Sequence, residues 1–388
     1  MYDLLLKNGE LVDPGQGIHA RRDIAISGGK VAAIDGNIPE HTSLKTIPLN
    51  GKLVTPGLID MHCHPSAGLV NVGRPIDEIG IYSGVTTLCD AGSSGAANFL
   101  PFKRYLINPS ATNTFCFLNI GKAGLACMPE IRGYYDIDLD STKRLIEENR
   151  DIIRGIKVRG IQAVAETVGV KAVETAKELA TELGLPTMIH IGEARERTAN
   201  DSMDSFTREA IKLLDQGDII SHILTRLPGG LIHPDGSIAQ ELWDARKRGV
   251  ILDACHGLWH FSFEIARQAL KQGLLPTVIS TDLADPNATV VQSLLVTMSK
   301  FLNLGLTIDQ VVEMTTVKSA IAIGEPNRGT LRLGSIADIS VLELVQGDFI
   351  FSDGRAGNRL RGKILLEPRL VIKSGKEMPC CSRYCVPG

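Results

Sequence analysis

The chain has 388 residues, with 41 basic against 44 acidic side chains and a formal net charge of −3. A hydrophobic share of 44% and a charged share of 22% exclude collagen-like, coiled-coil and wholly disordered chains. The near-neutral balance leaves no electrostatic footprint for nucleic acid or an anionic membrane, and no apolar run approaches the ~18 residues that span a bilayer. Met1-Tyr-Asp-Leu-Leu-Leu-Lys7 enters a strand-like pattern at once, with no basic segment leading into a long apolar stretch. The expectation is a soluble cytoplasmic protein with a small-molecule partner.

Residues 1–52 read as two hairpin-like segments, with Asn8-Gly9 and Gly28-Gly29 as turn signals. From residue 53 to 324 short β-branched runs alternate with amphipathic ones. The candidate strands are Leu53 to His62, Val85 to Gly92, Asn113 to Gly121, Ile153 to Gly160, Leu185 to Glu193, Asp218 to Thr225, Gly249 to Gly257 and Leu274 to Asp282. Between the fourth and fifth, Val170, Val173, Ala176, Leu179, Ala180 and Leu183 share one helical face, and Gly184 supplies a left-handed stop. Eight strand and helix units with near-continuous apolar strands favour an α/β fold of the (β/α)8 TIM-barrel type. Helical character in Ile308 to Ile323 marks the end of the barrel. Residues 325–377 return to strand and turn, so both termini are expected to combine into a small β-sandwich domain, each half being too short to bury a core alone. Residues 378–388, with Cys380, Cys381 and Cys385, read as a flexible tail. Eight cysteines are too few for a disulfide framework. Cys63, Cys89, Cys116, Cys127 and Cys255 are expected as small core residues rather than ligands.

In such a barrel, chemistry sits after the C-terminal ends of the strands. Those positions hold His62 and His64, Lys157 and Arg159, His190, His222 and Asp282. Two His at i and i+2 on a strand point to one face and can share an ion. Each remaining residue, taken singly, has a plain structural reading: a hydrogen-bonded interior histidine, or an aspartate capping a helix. Their shared position at one mouth changes that, because imidazole plus carboxylate suits zinc or a similar first-row ion. A lysine in an apolar strand is costly if charged. Lys157 either reaches the rim or, deprotonated, takes up carbon dioxide as a carbamate bridging two cations.

These residues, in this order, resemble the amidohydrolase superfamily: HxH after strand one, Lys after four, His after five, His after six and Asp after eight. Gly51-Lys-Leu-Val-Thr-Pro-Gly-Leu-Ile-Asp-Met-His-Cys-His64 resembles the family's first strand, and Gly329-Thr-Leu-Arg-Leu-Gly-Ser-Ile-Ala-Asp338 its return to the β-domain. Within the superfamily, Asp90-Ala-Gly-Ser-Ser-Gly95, Gly155-Ile-Lys-Val-Arg159, Met188-Ile-His-Ile-Gly192 and His256-Gly257 resemble the dihydroorotase-like amidohydrolase and deacetylase group. Ile223-Leu-Thr-Arg226 departs from its pattern. The resemblance implies two Zn2+ per subunit, one on His62, His64 and Asp282, the other on His190 and His222, with carbamylated Lys157 between them. It also implies a homo-oligomer and hydrolysis of amide or ester bonds in small acylated carboxylic acids.

On that basis two cations sharing a water yield a hydroxide nucleophile, and Asp282 orients that water and shuttles its proton. Arg159, on the same strand face as Lys157, is the candidate donor to the oxyanion, the alternative being a salt-bridged rim arginine. Arg226 and His256 are the candidate contacts for a substrate carboxylate. His233, Trp259 and His260 either line the mouth or, as the favoured reading, lie at the surface; His19 and His41 are expected as bystanders. Glu193 either accepts a proton from a ligand histidine or, as the favoured reading, is a solvated loop acid. Opening of a dihydroorotate- or hydantoin-like ring, nucleobase deamination and a non-catalytic oligomeric scaffold are the competing readings. The complete ligand set argues against the scaffold, and the bridging lysine against deamination.

Overall fold

The computed structural model describes residues 1–193 and 201–386. Its strands, in chain order, are β1 (Leu4–Asp13), β2 (Ile18–Ser27), β3 (Lys30–Asp35), β4 (Thr46–Pro48), β5 (Leu53–Pro56), β6 (Leu58–Cys63), β7 (Val85–Gly95) and β8 (Asn113–Asn119). They continue as β9 (Ile153–Arg159), β10 (Thr187–His190), β11 (Ile219–Ser221), β12 (Ile251–Asp253), β13 (Ile339–Ser352), β14 (Arg359–Lys373) and β15 (Lys376–Met378).

The strands β6 to β12 form one parallel sheet in sequence order. Every residue of β6 and of β7 is buried, as expected where helices cover one face and side chains fill the other. The sheet curls. Segment 278–283 touches both of its edges, through a Val278 bridge to Asp253 and a Leu283 bridge to Cys63. The final candidate strand is thus reduced to isolated bridges among the described residues. The helix Lys171–Leu183 buries Ala172, Val173, Ala176, Leu179, Ala180 and Leu183, and Gly184 ends it at φ 66°, as its apolar stripe predicts. The expected helix over Ile308 to Ile323 is two, Ile308–Thr315 and Val317–Ala322. Thr316, at φ −127° and ψ −99°, leaves helical space and breaks it.

The two termini form a second, mixed sheet in the order β15-β14-β13-β5-β1-β2-β3, with β4 pairing parallel to β1. Expected as a sandwich, it is one hydrogen-bonded sheet of eight strands. β5 belongs here, between β1 and β13, so the first predicted strand is divided at Gly57. A Cβ on Gly57 would lie 2.2 Å from Thr86 Oγ1, so only glycine lets the chain pass between the sheets. Asn8-Gly9 is not a hairpin turn. It is a bulge within β1, where register shifts and Asn8 takes φ 59°. Gly28-Gly29 does form the β2–β3 turn. The terminal segment is anchored as far as it is described. Tyr384 rests on Phe349 and Phe351, and the Cys381 and Cys385 N–H groups donate to Tyr82 O and Gln292 Oε1. No helix among the described residues is long and apolar enough to cross a membrane.

Candidate metal centre

At the C-terminal ends of the parallel strands lies a cavity of about 140 Å³, into which His62, His64, Lys157, Arg159, His190 and Asp282 all project. His62 and His64 reach it from one face of β6 and the residue beyond it, Lys157 and Arg159 from alternate positions of β9, and His190 from the last residue of β10. His222 follows β11, its ring centroid 4.3 Å from that of His190 and 5.3 Å from that of His62. Asp282 is tied to the first strand through its N–H, which donates to the His62 carbonyl at 2.7 Å. Its Oδ1 lies 3.0 Å from His64 Nε2 and 3.6 Å from His62 Nε2.

Each imidazole spends one nitrogen on the protein and turns the other inward. His62 Nδ1 donates towards Asp253 Oδ2 at 3.2 Å, with Ser221 Oγ at 3.0 Å. His64 Nδ1 meets Ser93 Oγ at 2.8 Å. His222 Nδ1 donates to the Cys255 carbonyl at 2.9 Å, and His190 Nε2 to the Gly192 carbonyl at 3.1 Å. Metal-binding histidines are held in this way, the outer hydrogen bond fixing the tautomer that leaves a lone pair for the ion. Burial holds His62, His190 and His222 well below the ordinary imidazole range, so all three are neutral donors. Burial also lowers the Lys157 ammonium to about 8, and its Nζ stands 3.4 Å from His62 Nε2. The donor set therefore fits divalent cations.

Backbone strain marks the same place. His222 (φ 70°), Cys255 (φ 32°) and Asp282 (φ 53°) are three of seven non-glycine residues in the left-handed region among the described residues. Each such residue costs on the order of 1–3 kcal/mol, and they collect where surrounding structure over-determines them.

A model of the amidohydrolase family matches residues 53–365. The chain belongs to the amidohydrolase family. It is a hydrolase. A deacetylase of Agrobacterium fabrum is 35% identical over 387 residues, spanning 98% of this chain and 92% of that protein. A crystal structure described as a dihydroorotase superposes with a TM-score of 0.86 at 34% identity, covering 100% of both chains. Another, described as an adenine deaminase, reaches 0.88 at 30% identity over 98% of this chain and 100% of the other. These relatives carry three different activity names, so the chemistry of this amidohydrolase has to come from its side chains.

Two expected substrate contacts do not line the cavity. His256 lies beyond the end of β12, after the positive-φ turn at Cys255, and packs away from the cavity. Its ring stacks on Phe261 at 4.4 Å, its Nδ1 donates to the Gly257 carbonyl, and its Nε2 accepts from Lys300 Nζ at 2.8 Å. Arg226 is half-buried in the electrostatic company of Arg355, Asp353 and Glu264. Arg159 does face the cavity, and it is also paired with the buried Glu130 carboxylate at 3.2 Å. Glu193 is committed to the backbone, accepting the N–H of Gln162 at 2.8 Å.

His260, expected at the surface, is a fifth imidazole of the site. It is buried and lines the cavity, with its centroid 4.6 Å from that of His190 and 4.3 Å from that of His222. Burial lowers its pKa to about 4. Its sequence signal was its place in the loop after the seventh strand, at the same mouth as the others. Trp259 lies beside it on the cavity wall and is 43% exposed. Cys255, expected as inert core, also stands among the ligand candidates, since one donor atom each from His62, His222, Cys255 and Asp282 lie within 4.8 Å of one another.

Proposed function

We propose that the chain is a binuclear zinc deacetylase or esterase that cleaves amide or ester bonds of small acylated carboxylic acids. The observation that carries this reading is the set of neutral, outward-anchored imidazoles facing Asp282 and a buried lysine across one cavity. The proposed architecture is a (β/α)8 barrel completed by segment 278–283 and beginning after Gly57, beside a β-domain from both termini. The proposal includes a cytoplasmic homo-oligomer.

His62, His64 and Asp282 would hold one ion and His190 and His222 the second, with Lys157, as its carbamate, a further ligand. Divalent cations bound there would lower the pKa of a water and polarise the scissile carbonyl. Asp282 orients the attacking water, receives its proton and returns it to the leaving group. Arg159 donates to the developing oxyanion, held in place by Glu130. Leu258 and Trp259 supply an apolar stretch of the cavity wall. The deacetylase name comes from the Agrobacterium relative.

A second reading, opening of a cyclic amide, is favoured by the 34% identical structure described as a dihydroorotase. The same site chemistry serves both.

Metal analysis with chelation tests the proposal. Two zincs per chain, activity abolished by a chelator and restored by zinc are the expected results. Full activity in metal-free protein would reject it.

A further inference from the structure

We propose that the metal centre contains a thiolate, contributed by Cys255. This rests on the binuclear reading above, and adds a ligand that the histidine, lysine and aspartate set does not include.

The geometry is specific. Cys255 lies two residues beyond β12, at the same end of the parallel sheet as the other ligand candidates, and is completely buried. Its Sγ is 3.8 Å from His222 Nε2, the nitrogen whose lone pair faces the centre. Tetrahedral zinc with Zn–S near 2.3 Å and Zn–N near 2.0 Å separates two such donors by about 3.5 Å. Sulfur and imidazole thus already stand at nearly the spacing one ion requires. His62 and Asp282, ligands of the neighbouring ion in that reading, offer donor atoms within 4.8 Å of both, so the sulfur stands beside the whole centre.

The backbone holds the sulfur there against a conformational preference. Cys255 sits at φ 32°, and two hydrogen bonds maintain it. Its N–H donates to Asp253 Oδ1 at 3.1 Å, and its carbonyl accepts from His222 Nδ1 at 2.9 Å. One residue therefore sets the tautomer of His222 and presents sulfur to the opposite side of that ring. The loop then runs against Asp282, since a Cβ on Gly257 would come within 2.8 Å of its Oδ2. Cys63, although it lies between the two strand histidines, turns its Sγ towards the carbonyls of Asp60 and Cys89.

Coordination replaces the S–H bond with a sulfur–metal bond, and the proton leaves to solvent. A coordinated thiol is deprotonated outright. A soft sulfur donor beside hard oxygen donors shifts selectivity towards zinc and away from magnesium or manganese.

The test is spectroscopic. The protein is loaded with cobalt(II) and its metal content measured, then the same is done with Cys255→Ser. The expected wild-type spectrum has a thiolate-to-cobalt charge-transfer band in the near ultraviolet alongside the visible ligand-field bands. Cys255→Ser should keep the ligand-field bands and lose the charge-transfer band. Two bound cobalts without that band would overturn the thiolate and leave the binuclear reading standing. Absence of bound metal would overturn both. Persistence of the band in Cys255→Ser would assign the sulfur elsewhere and overturn the proposal. Should that variant not fold, X-ray absorption of the wild-type zinc protein decides. One sulfur scatterer near 2.3 Å is expected, and only nitrogen and oxygen scatterers would refute it.

Discussion

Replacing Lys157 with methionine keeps the buried stem and removes the amine, and the consequence follows from its environment. The side chain is almost fully buried, and burial brings its pKa from 10.5 to about 8. At pH 7 about one amine in ten is then neutral, against roughly one in 3,000 for an unperturbed lysine, a gain of about 300-fold. Only the neutral amine attacks carbon dioxide. The N–C bond forms and an N–H proton leaves, giving the carbamate that, in the proposed centre, would serve as a ligand to the cations. Zinc loading of metal-free protein should therefore accelerate with added bicarbonate. It should rise with pH and level off above about 8. Lys157→Met should lose bound zinc and turnover by more than the roughly 10–100-fold that removing an outer-shell partner costs. A short carboxylic acid should restore part of both. Metal content after gel filtration and kcat are the assays. A Lys157→Met protein that retains two tightly bound zincs would refute the bridge.

Three further substitutions separate the roles. Asp282→Asn should lower kcat by about 10²–10⁴-fold with little change in KM, and near-normal kcat would remove it as the proton shuttle. Arg159→Met should slow turnover of every acyl substrate. It should also cost about 2–3 kcal/mol in chemical denaturation, because it strands the buried Glu130 carboxylate. Unchanged kcat with the stability loss alone would make Arg159 purely structural. Burial pushes Lys300 from 10.5 to about 7, so between those values the unfolded chain binds more protons and stability rises with pH. Lys300→Met should accordingly stabilise the fold at pH 6, by on the order of a few kcal/mol, less the lost hydrogen bonds to His256 and the Val290 carbonyl. The gain should shrink towards pH 10, and a pH-independent difference would contradict the shift.

Residues bound to regular elements were legible in the sequence. His62, His64, Lys157 and Arg159 follow from strand alternation, and the helix Lys171–Leu183 from its apolar stripe and Gly184. What escaped lies where the chain leaves a regular period. After β12 the backbone turns through a positive φ at Cys255, which no hydrophobic pattern encodes. Beyond that turn Cys255 stands among the ligand candidates, His256 packs away from the cavity and His260 lines it, none of which the residue types alone imply. The bulge at Asn8 and Gly9 looked like a turn because the same residue types serve both. β13 and β14 extend to Ser352 and back from Arg359, with Gly347-Asp348 inside β13, residue types that read as a turn.

The central claim is tested most directly by a substrate screen of the zinc-loaded protein. N-acyl amino acids, O-acyl hydroxy acids, dihydroorotate and hydantoins would be compared, with bound metal measured in the same samples. The account predicts release of the acyl group from acylated carboxylic acids at two zincs per chain. Ring opening without any deacylation would contradict it.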